Sequence, residues 1–271
     1  MLELITVDQS ICIRCGRCAA VCPRGLIHLN HEWPASTAEE LCIGCGQCVA
    51  VCPVAALDNR QAPLAGQGPL PAETATPAAA YSVLRSRRSI RSFKKLPVDR
   101  EKIVQLLDLA RLAPSGGNSQ GIAYLVIENP NVLSQLAAAT IDWLDEQSKQ
   151  GVAAAKIYAQ YVVMHREQGK DSILRDAPCL IVAHAAANFA RGRENSLFAL
   201  AYAELYAPAL GLGSCWAGLM EAAIFAGAPM LQLLGLPADR QFTGAIMLGY
   251  PAVQFHRLPD RKPLEIMFME E

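Results

Sequence analysis

The sequence predicts an α+β chain in two parts. A small cysteine-rich domain covers 1–60, and a larger domain over 81–271 carries a mixed sheet flanked by helices. Three observations lead there. Eight of the ten cysteines lie in two runs of identical spacing before residue 53. Residues 61–80 then hold four prolines, two glycines and many alanines, with Glu73 as the only charge, which is the composition of a linker. Beyond the linker, helical and strand patterns follow one another without strict alternation, as in α+β rather than α/β chains.

Taken in order, Leu2–Val7 is rich in aliphatic and β-branched residues and reads as a short strand. The cysteine runs are Cys12-x-x-Cys15-x-x-Cys18-x-x-x-Cys22-Pro23 and Cys42-x-x-Cys45-x-x-Cys48-x-x-x-Cys52-Pro53. Each should close with a one-turn helix halted by its proline. Leu26–Leu29 and Val54–Leu57 are further strand candidates. The two runs form an internal repeat. They share the four cysteines, the Ile after the first (Ile13, Ile43), the Gly after the second (Gly16, Gly46), the Ala-Val before the fourth, and the proline.

This spacing is the one by which bacterial-type chains hold two [4Fe–4S] clusters. Three thiolates at intervals of three residues wrap one face of a cube, and the displaced fourth serves the other cube. The expected sets are Cys12, Cys15, Cys18 with Cys52, and Cys42, Cys45, Cys48 with Cys22. Disulfides would suit a small secreted domain, but Met1–Asp8 lacks the basic and long apolar regions of a secretory signal. Zinc ribbons separate two CxxC pairs by a longer loop. The apolar residues between the cysteines (Ile11, Ile13, Val21, Leu41, Ile43, Val51) suit a dry shell around clusters. Residues 1–60 resemble the bacterial two-cluster ferredoxins.

Composition excludes some function classes. The chain has 271 residues, 52% of them hydrophobic, enough for a sizeable core. Lys+Arg total 24 against Asp+Glu 25, so neither nucleic acid nor an anionic membrane is expected as a partner. Ser196–Met220 is apolar and long enough to span a bilayer. Glu204, Pro208 and its terminal glycines make a buried helix followed by a turn the better reading. Eight thiolates imply a reducing, cytoplasmic compartment.

In the second part, Tyr81–Arg88 should be helical. Asp99 is a plausible N-cap for a helix carrying Ile103, Val104, Leu106, Leu107 and Ala110 on one face and stopping at Pro114. Ala123–Ile127 reads as a strand, Asn131–Lys170 as helix broken at Gly151, Leu180–Ala183 as a strand, Asn195–Ala209 as a buried helix, and Ala245–Gly249 as the last strand.

Three polar islands interrupt this apolar domain. Arg87-Arg88-Ser89-x-Arg91 sets three guanidiniums and a hydroxyl beside a helix end, which suits a phosphate and ribityl oxygens; alone it is a solvated basic patch. Pro114–Gln120 is a Gly/Ser/Asn loop whose amides could meet a ring edge, and alone is a turn. Gly211-Leu-Gly213-Ser-Cys-Trp-Ala-Gly218 follows a helix and lacks the GxGxxG spacing of a dinucleotide site, yet can bring bare N–H groups near a flat ligand.

Together and in this order the islands, with Gly249-Tyr-Pro251 and Arg261-Lys-Pro263, resemble the nitroreductase family of FMN-dependent oxidoreductases. The resemblance spans nearly all of 81–271. It implies an intertwined homodimer with FMN in two interface sites. Arg87, Arg88, Ser89 and Arg91 would hold phosphate and ribityl, with Arg261 closing on the phosphate. Asn118 would bond the flavin, while Pro114, Ser115 and Gly116 approach from the partner. The backbone at Trp216, Ala217 and Gly218 would face N5. Many members have a proline where this chain has Gly121. No general acid is assigned.

The function expected is an enzyme in which two clusters pass electrons to FMN for reduction of a nitroaromatic, quinone or activated double bond. The donor would be a low-potential protein such as ferredoxin, or NAD(P)H. The rivals are reverse flow to the clusters, and a non-catalytic carrier or redox sensor. Cys179 and Cys215 read as buried hydrophobes. His28, His31, His165, His184 and His256 lack metal-ligand spacing. Residues 142–176, with Trp143, Tyr158 and Tyr161, either cover the site or simply pack.

Overall fold

A computed structural model of the chain describes residues 3–29, 33–73 and 75–269. Leu2 of the first expected strand and His31 lie outside the described residues. The chain divides into two compact units. One comprises 1–74 together with 115–119, the other 75–114 together with 120–271.

The first unit is built on the repeat. β1 (Ile5–Val7) pairs antiparallel with β4 (Leu57–Asn59), Ile5 opposite Asn59. β2 (Ile27–Leu29) pairs antiparallel with β3 (Pro34–Ser36). The one-turn helices expected before each Cys-Pro are α1 (Arg17–Ala20) and α2 (Gln47–Ala50). Strand β4 begins at Leu57, so Val54–Ala56 belongs to the turn before it. The core is small: Leu4, Ile5, Ile27, Val49 and Leu57 pack with Cys18 and Cys48. So few apolar groups give limited stability to a domain of this size, which is where bound metal usually contributes.

In the second unit, α3 (Pro77–Ser86) starts inside the stretch expected to be linker. Thr76 Oγ1 accepts the Ala79 N–H at 3.2 Å, and Pro77 occupies the first turn, where its missing donor costs nothing. α4 (Arg100–Ala110) follows. Asp99 precedes it without a side-chain cap, because its carboxylate accepts the Tyr250 hydroxyl at 2.8 Å instead. Ile103, Leu106 and Ala110 are buried, but Val104 is exposed: at 100° per residue it falls off the 103–106–110 stripe.

β5 (Ala123–Ile127), α5 (Pro130–Lys149) and α6 (Ala155–Arg166) match the expected elements, with the break around Gly151. β6 (Cys179–Ala186), α7 (Gly192–Tyr206), β7 (Gly213–Trp216), α8 (Gly218–Phe225), α9 (Leu231–Leu234) and β8 (Arg240–Gly249) complete the unit. The sheet order is β5-β6-β8-β7, every neighbour antiparallel. The parallel pairing that makes it mixed is the bridge Ser89↔Ser214 on the outer edge of β7.

Two cores sandwich this sheet. Leu180 and Val182 of β6, with Ala245 and Met247 of β8, join the core under α5 and α8. Cys179, Ile181 and Ala183, with Ile246 and Leu248, join the core under α4 and α7. The period of two along each strand therefore sends alternate side chains to opposite helical layers. Burial on both faces explains why these strands read as unbroken apolar runs. Ser196–Met220 holds most of α7, a turn, β7 and the start of α8, and no helix among the described residues is long and apolar enough to cross a membrane.

Candidate functional site

Two sites emerge, one in each unit. In the first unit, one small cavity is lined by Cys12, Cys15, Cys18 and Cys52, with Val7, Ile13, Val54 and Leu57. A second is lined by Cys42, Cys45, Cys48 and Cys22, with Leu4, Leu26, Ile27 and Ile43. Each cavity thus gathers three cysteines of one run and the displaced fourth of the other. Among the described residues, no three His, Cys, Asp or Glu side chains converge on a point that would hold a single metal ion.

The sulfurs face donors rather than other acceptors. The Leu26 N–H points to Cys22 Sγ at 3.3 Å and the Ala56 N–H to Cys52 Sγ at 3.2 Å, four residues on in each repeat. Gly44 donates to Cys42 Sγ at 3.5 Å. The buried Asn59 amide lies 3.6 Å from Cys48 Sγ. Burial pushes the Cys22 thiol up, but the N–H groups of Leu26, Arg24, Ile27 and Gly25 outweigh it and hold the thiol below its ordinary value. Burial raises the Cys18 and Cys48 thiols. Crossed sets of four sulfurs in apolar, N–H-lined cavities fit cluster ligation, in which thiolates are stabilised by hydrogen bonds. Asn59 carried no signal in the sequence, since it lies outside both runs.

In the second unit, the first and third islands come together. Ile90 donates its N–H to the Ser214 carbonyl at 2.8 Å, so the strip after α3 lies along β7. A cleft of about 800 Å³ opens beside this seam, lined by Arg88, Lys94, Glu204, Gly213, Ser214 and Tyr250–Phe255 among others. Arg88 Nε is buried there without a hydrogen-bond partner among the described residues, and its guanidinium lies 5.7 Å from the Phe255 ring centre. A buried donor left unpaired in a cleft fits an anionic group such as a phosphate.

Arg87 sits 3.9 Å from Glu204, whose Oε1 also accepts the Ser214 hydroxyl at 3.1 Å. Burial pushes the Glu204 carboxyl above its ordinary value, against the pull of Arg87 and Ser214. Burial likewise raises the Cys215 thiol, while the Arg91 charge and a Ser89 hydrogen bond lower it, so these two islands share one neighbourhood. Cys179 is fully buried in β6, its thiol pushed up to about 12 by burial.

Trp216, Ala217 and Gly218 end β7 and open α8. Ala217 gives its N–H to the Ala245 carbonyl at 3.0 Å, so that donor is already used. Behind them, Glu221 accepts the Ala245 N–H at 2.6 Å and Arg193 Nη2 at 2.9 Å. The Arg193 guanidinium lies 5.8 Å from the Trp216 ring centre. Sequence reasoning missed Glu204, Arg193 and Glu221. Glu204 had a signal, as the single charge in the apolar stretch 196–220.

Of the residues expected at the flavin, Arg88 lines this cleft, whereas Arg87, Ser89, Arg91, Trp216, Ala217 and Gly218 are not among its lining residues. Asn118 belongs with the first unit, where its amide donates to the carbonyls of Ile43 at 2.9 Å and Gly44 at 3.1 Å. Ser115 and Gly116 accompany it; Pro114 is exposed at the end of the second unit's segment. Arg261 lies on the exposed C-terminal stretch, its N–H on the Asp260 carboxylate. Gly121 has φ +53, which a proline cannot adopt, and a Cβ there would stand 2.9 Å from Phe189 Cε1. The Trp143 and Tyr158 rings lie 6.2 Å apart, tilted by 46°, against the core.

Comparison with known proteins matches residues 84–250 to the nitroreductase family, more than half of the chain. The chain belongs to the nitroreductase family. Its N-terminal residues 5–58 match the 4Fe-4S dicluster domain, so a nitroreductase-family domain is fused behind a ferredoxin-like one. This makes the protein a nitroreductase-like flavin oxidoreductase.

Among relatives of this family member, a 5,6-dimethylbenzimidazole synthase from Rhodospirillum rubrum is 25% identical over 190 residues, 66% of this chain and 84% of that one. A 4-nitrobenzoate reductase from Pseudomonas putida is 42% identical over 57 residues, 20% of this chain and 25% of that one. A solved nitroreductase with bound FMN from Desulfitobacterium hafniense DCB-2 shares the fold, with a TM-score of 0.54 at 21% identity, covering 69% of this chain and 96% of that one.

Proposed function

We propose that this chain holds two [4Fe–4S] clusters, one per crossed cysteine set, and one FMN, and that it reduces a small organic acceptor with electrons delivered to the clusters. The observation that carries this reading is the crossing itself. Each cavity is closed by the fourth cysteine of the opposite run, which is the exchange of ligands expected of two-cluster chains. When bound, FMN would supply the exchange between single electrons and a two-electron reduction.

The chain's own residues do the holding. Arg87, Arg88, Ser89 and Arg91 would bind phosphate and ribityl, with Arg261 joining on the phosphate; the unpaired Arg88 Nε supports this. Glu204 would release Arg87 when a phosphate arrives, since one guanidinium then meets two anions. The segment 216–218 would lie along the ring, held by Arg193 and Glu221. Asn118 would bond the flavin from the same subunit as Arg87, while Pro114, Ser115 and Gly116 would approach it from the other copy of a homodimer. Association of two copies is supported by exposed apolar side chains on α3 (Tyr81, Val83, Leu84) and on the C-terminal stretch (Leu264, Met267, Phe268).

A nitroaromatic, a quinone and an activated double bond remain the acceptors in view. The 4-nitrobenzoate reductase likeness favours trying nitroaromatics first. A reducing, cytoplasmic compartment would keep these thiolates available to the clusters.

The test is anaerobic purification with iron, sulfide and flavin analysis, followed by stopped-flow reduction and an acceptor panel. Clusters bleaching before flavin, and flavin reoxidation by an acceptor faster than by buffer, are the expected results. Flavin bleaching first would reverse the flow. No acceptor faster than buffer would leave a carrier or sensor.

A further inference from the structure

The internal repeat lets the two ends of the first unit be compared residue by residue, and they differ. Arg14 and Arg17 in the first run stand where the second has Gly44 and Gln47. Both arginines are exposed. Ile13 is 61% exposed and Cys15 is exposed, whereas their counterparts Ile43 and Cys45 are half-buried. The second end is covered from within its own unit. A Cβ on Gly44 would stand 3.4 Å from Gln61 Oε1, and one on Gly46 would stand 3.0 Å from Gln67 Nε2. The Ile43 and Gly44 carbonyls accept the Asn118 amide. At the first end a Cβ on Gly16 would stand 2.9 Å from Leu29 Cδ1, yet Ile13 and Cys15 stay exposed beside Cys12, with Ile11 also at the surface.

We propose that the exposed end around Cys12 and Cys15 is the docking face for an acidic electron-transfer protein, seated on Ile11 and Ile13 and ringed by Arg14 and Arg17. The proposal rests on the relay reading above and adds the entry point. The whole chain carries a formal net charge of −1, so cations concentrated here are a local feature. Arg14 is held in place, its guanidinium 4.1 Å from the Trp33 ring centre. The nearest preceding carboxylate, Asp8, is occupied by the Ser10 N–H at 2.9 Å and the Ser10 hydroxyl at 2.6 Å. An apolar centre with an arginine rim is what transient protein contacts use, and opposite charge raises the encounter rate. In the encounter one electron would leave the partner's reduced centre for the cluster that Cys12, Cys15, Cys18 and Cys52 would hold. The partner is oxidised by one electron, and no proton need move.

The experiment compares the holoprotein with R14E/R17E and R14Q/R17Q, reduced either by a reduced acidic ferredoxin or by dithionite. The expected result is a second-order rate with ferredoxin that falls ~10-fold or more in R14E/R17E and less in R14Q/R17Q. The gap should close at high ionic strength, while dithionite reduction stays unchanged. Equal iron content in all three proteins guards against a folding defect. Unchanged ferredoxin rates, or rates indifferent to salt, overturn the proposal. Reduction by NADPH that is lost in the variants overturns it too, since the face would then bind a nucleotide. Clusters that reduce normally but never pass electrons to flavin would sink the relay reading and leave the docking face standing.

Discussion

The Ile90 N–H meets the Ser214 carbonyl at 2.8 Å, and this one bond joins the arginine-rich strip to the glycine-rich strand. The approach is so close that a Cβ on the intervening Gly213 would stand 2.5 Å from Ile90 Cγ1 and 3.0 Å from Pro251 Cγ. Gly213→Ala should therefore push the strip off β7. Overpacking of this kind costs about 1–3 kcal/mol. Flavin affinity should fall with it, because Arg88 and Ser89 ride on the displaced segment. Thermal unfolding and FMN titration of the purified variant check both effects. A fully stable variant with unchanged affinity would mean that the seam is pliable.

The crossed cysteine sets make a prediction that single substitutions alone cannot. Cys52→Ala should remove the cluster shared with Cys12, Cys15 and Cys18, leaving about half the iron. Adding Cys12→Ala should remove little more. Adding Cys42→Ala should remove nearly all of it. Iron and sulfide analysis of the anaerobic proteins reads the result. If the first double variant lost everything and the second kept half, each cluster would be ligated within one run.

How much of this was legible in the sequence follows from where the physics is local. Cysteine spacing, the halting prolines and the break near Gly151 act within a few residues, and the corresponding elements lie where expected. β7 and α8 were missed because Gly211–Gly218 has the composition of a loop. Gly213 is a strand residue for a tertiary reason, the nearness of Ile90 and Pro251. The same holds for Asp99, whose carboxylate answers Tyr250 from 151 residues away rather than capping its own helix. In the candidate sites, ligand types showed in the sequence. The partners that tune them, Asn59 and Glu221, did not, since each acts through a contact distant in sequence.

Arg88 should separate binding from stability. Its buried Nε has no hydrogen-bond partner among the described residues, so Arg88→Ala removes no bond from the unliganded chain there. A hydrogen bond to a charged group contributes about 1.5–3 kcal/mol, equivalent to ~10- to 100-fold in affinity. FMN dissociation should rise by that factor while the unfolding midpoint stays or climbs. A fall in stability with unchanged flavin binding would give Arg88 a structural role instead.

Glu204 gives the protein a pH dependence of definite sign. Burial raises its folded-state pKa above the ordinary value of about 4.5, with Arg87 and Ser214 resisting. A carboxyl so shifted contributes stability that is fully present below its unfolded pKa and lost as pH rises through the folded one. Glu204→Gln should flatten that decline. Arg87→Ala should extend it to higher pH by removing the cation that resists the shift. Denaturant midpoints measured across this range for the three proteins decide it. An identical slope in the Gln variant would show that Glu204 does not titrate there.

Glu221 is nearly buried and holds three elements at once. It accepts from the Ala245 N–H on β8 and from Arg193 on α7, and sits in the first turn of α8. Arg193 in turn donates to the Thr243 carbonyl at 2.6 Å and lies 4.9 Å from the Phe225 ring centre. Removing one partner of a fully buried pair costs about 3–5 kcal/mol, and less here because the Arg193 side chain is partly exposed. Glu221→Ala should destabilise by less than that, and Glu221→Gln less still, because the amide oxygen still accepts from Ala245. Arg193→Met together with Glu221→Gln should recover part of the loss, since neither then leaves a buried charge unpaired. The double-variant cycle in chemical unfolding measures the coupling. The flavin absorbance of the same samples reports whether the 216–218 segment has moved. Additive losses with no coupling would mean that the two side chains stabilise their elements separately.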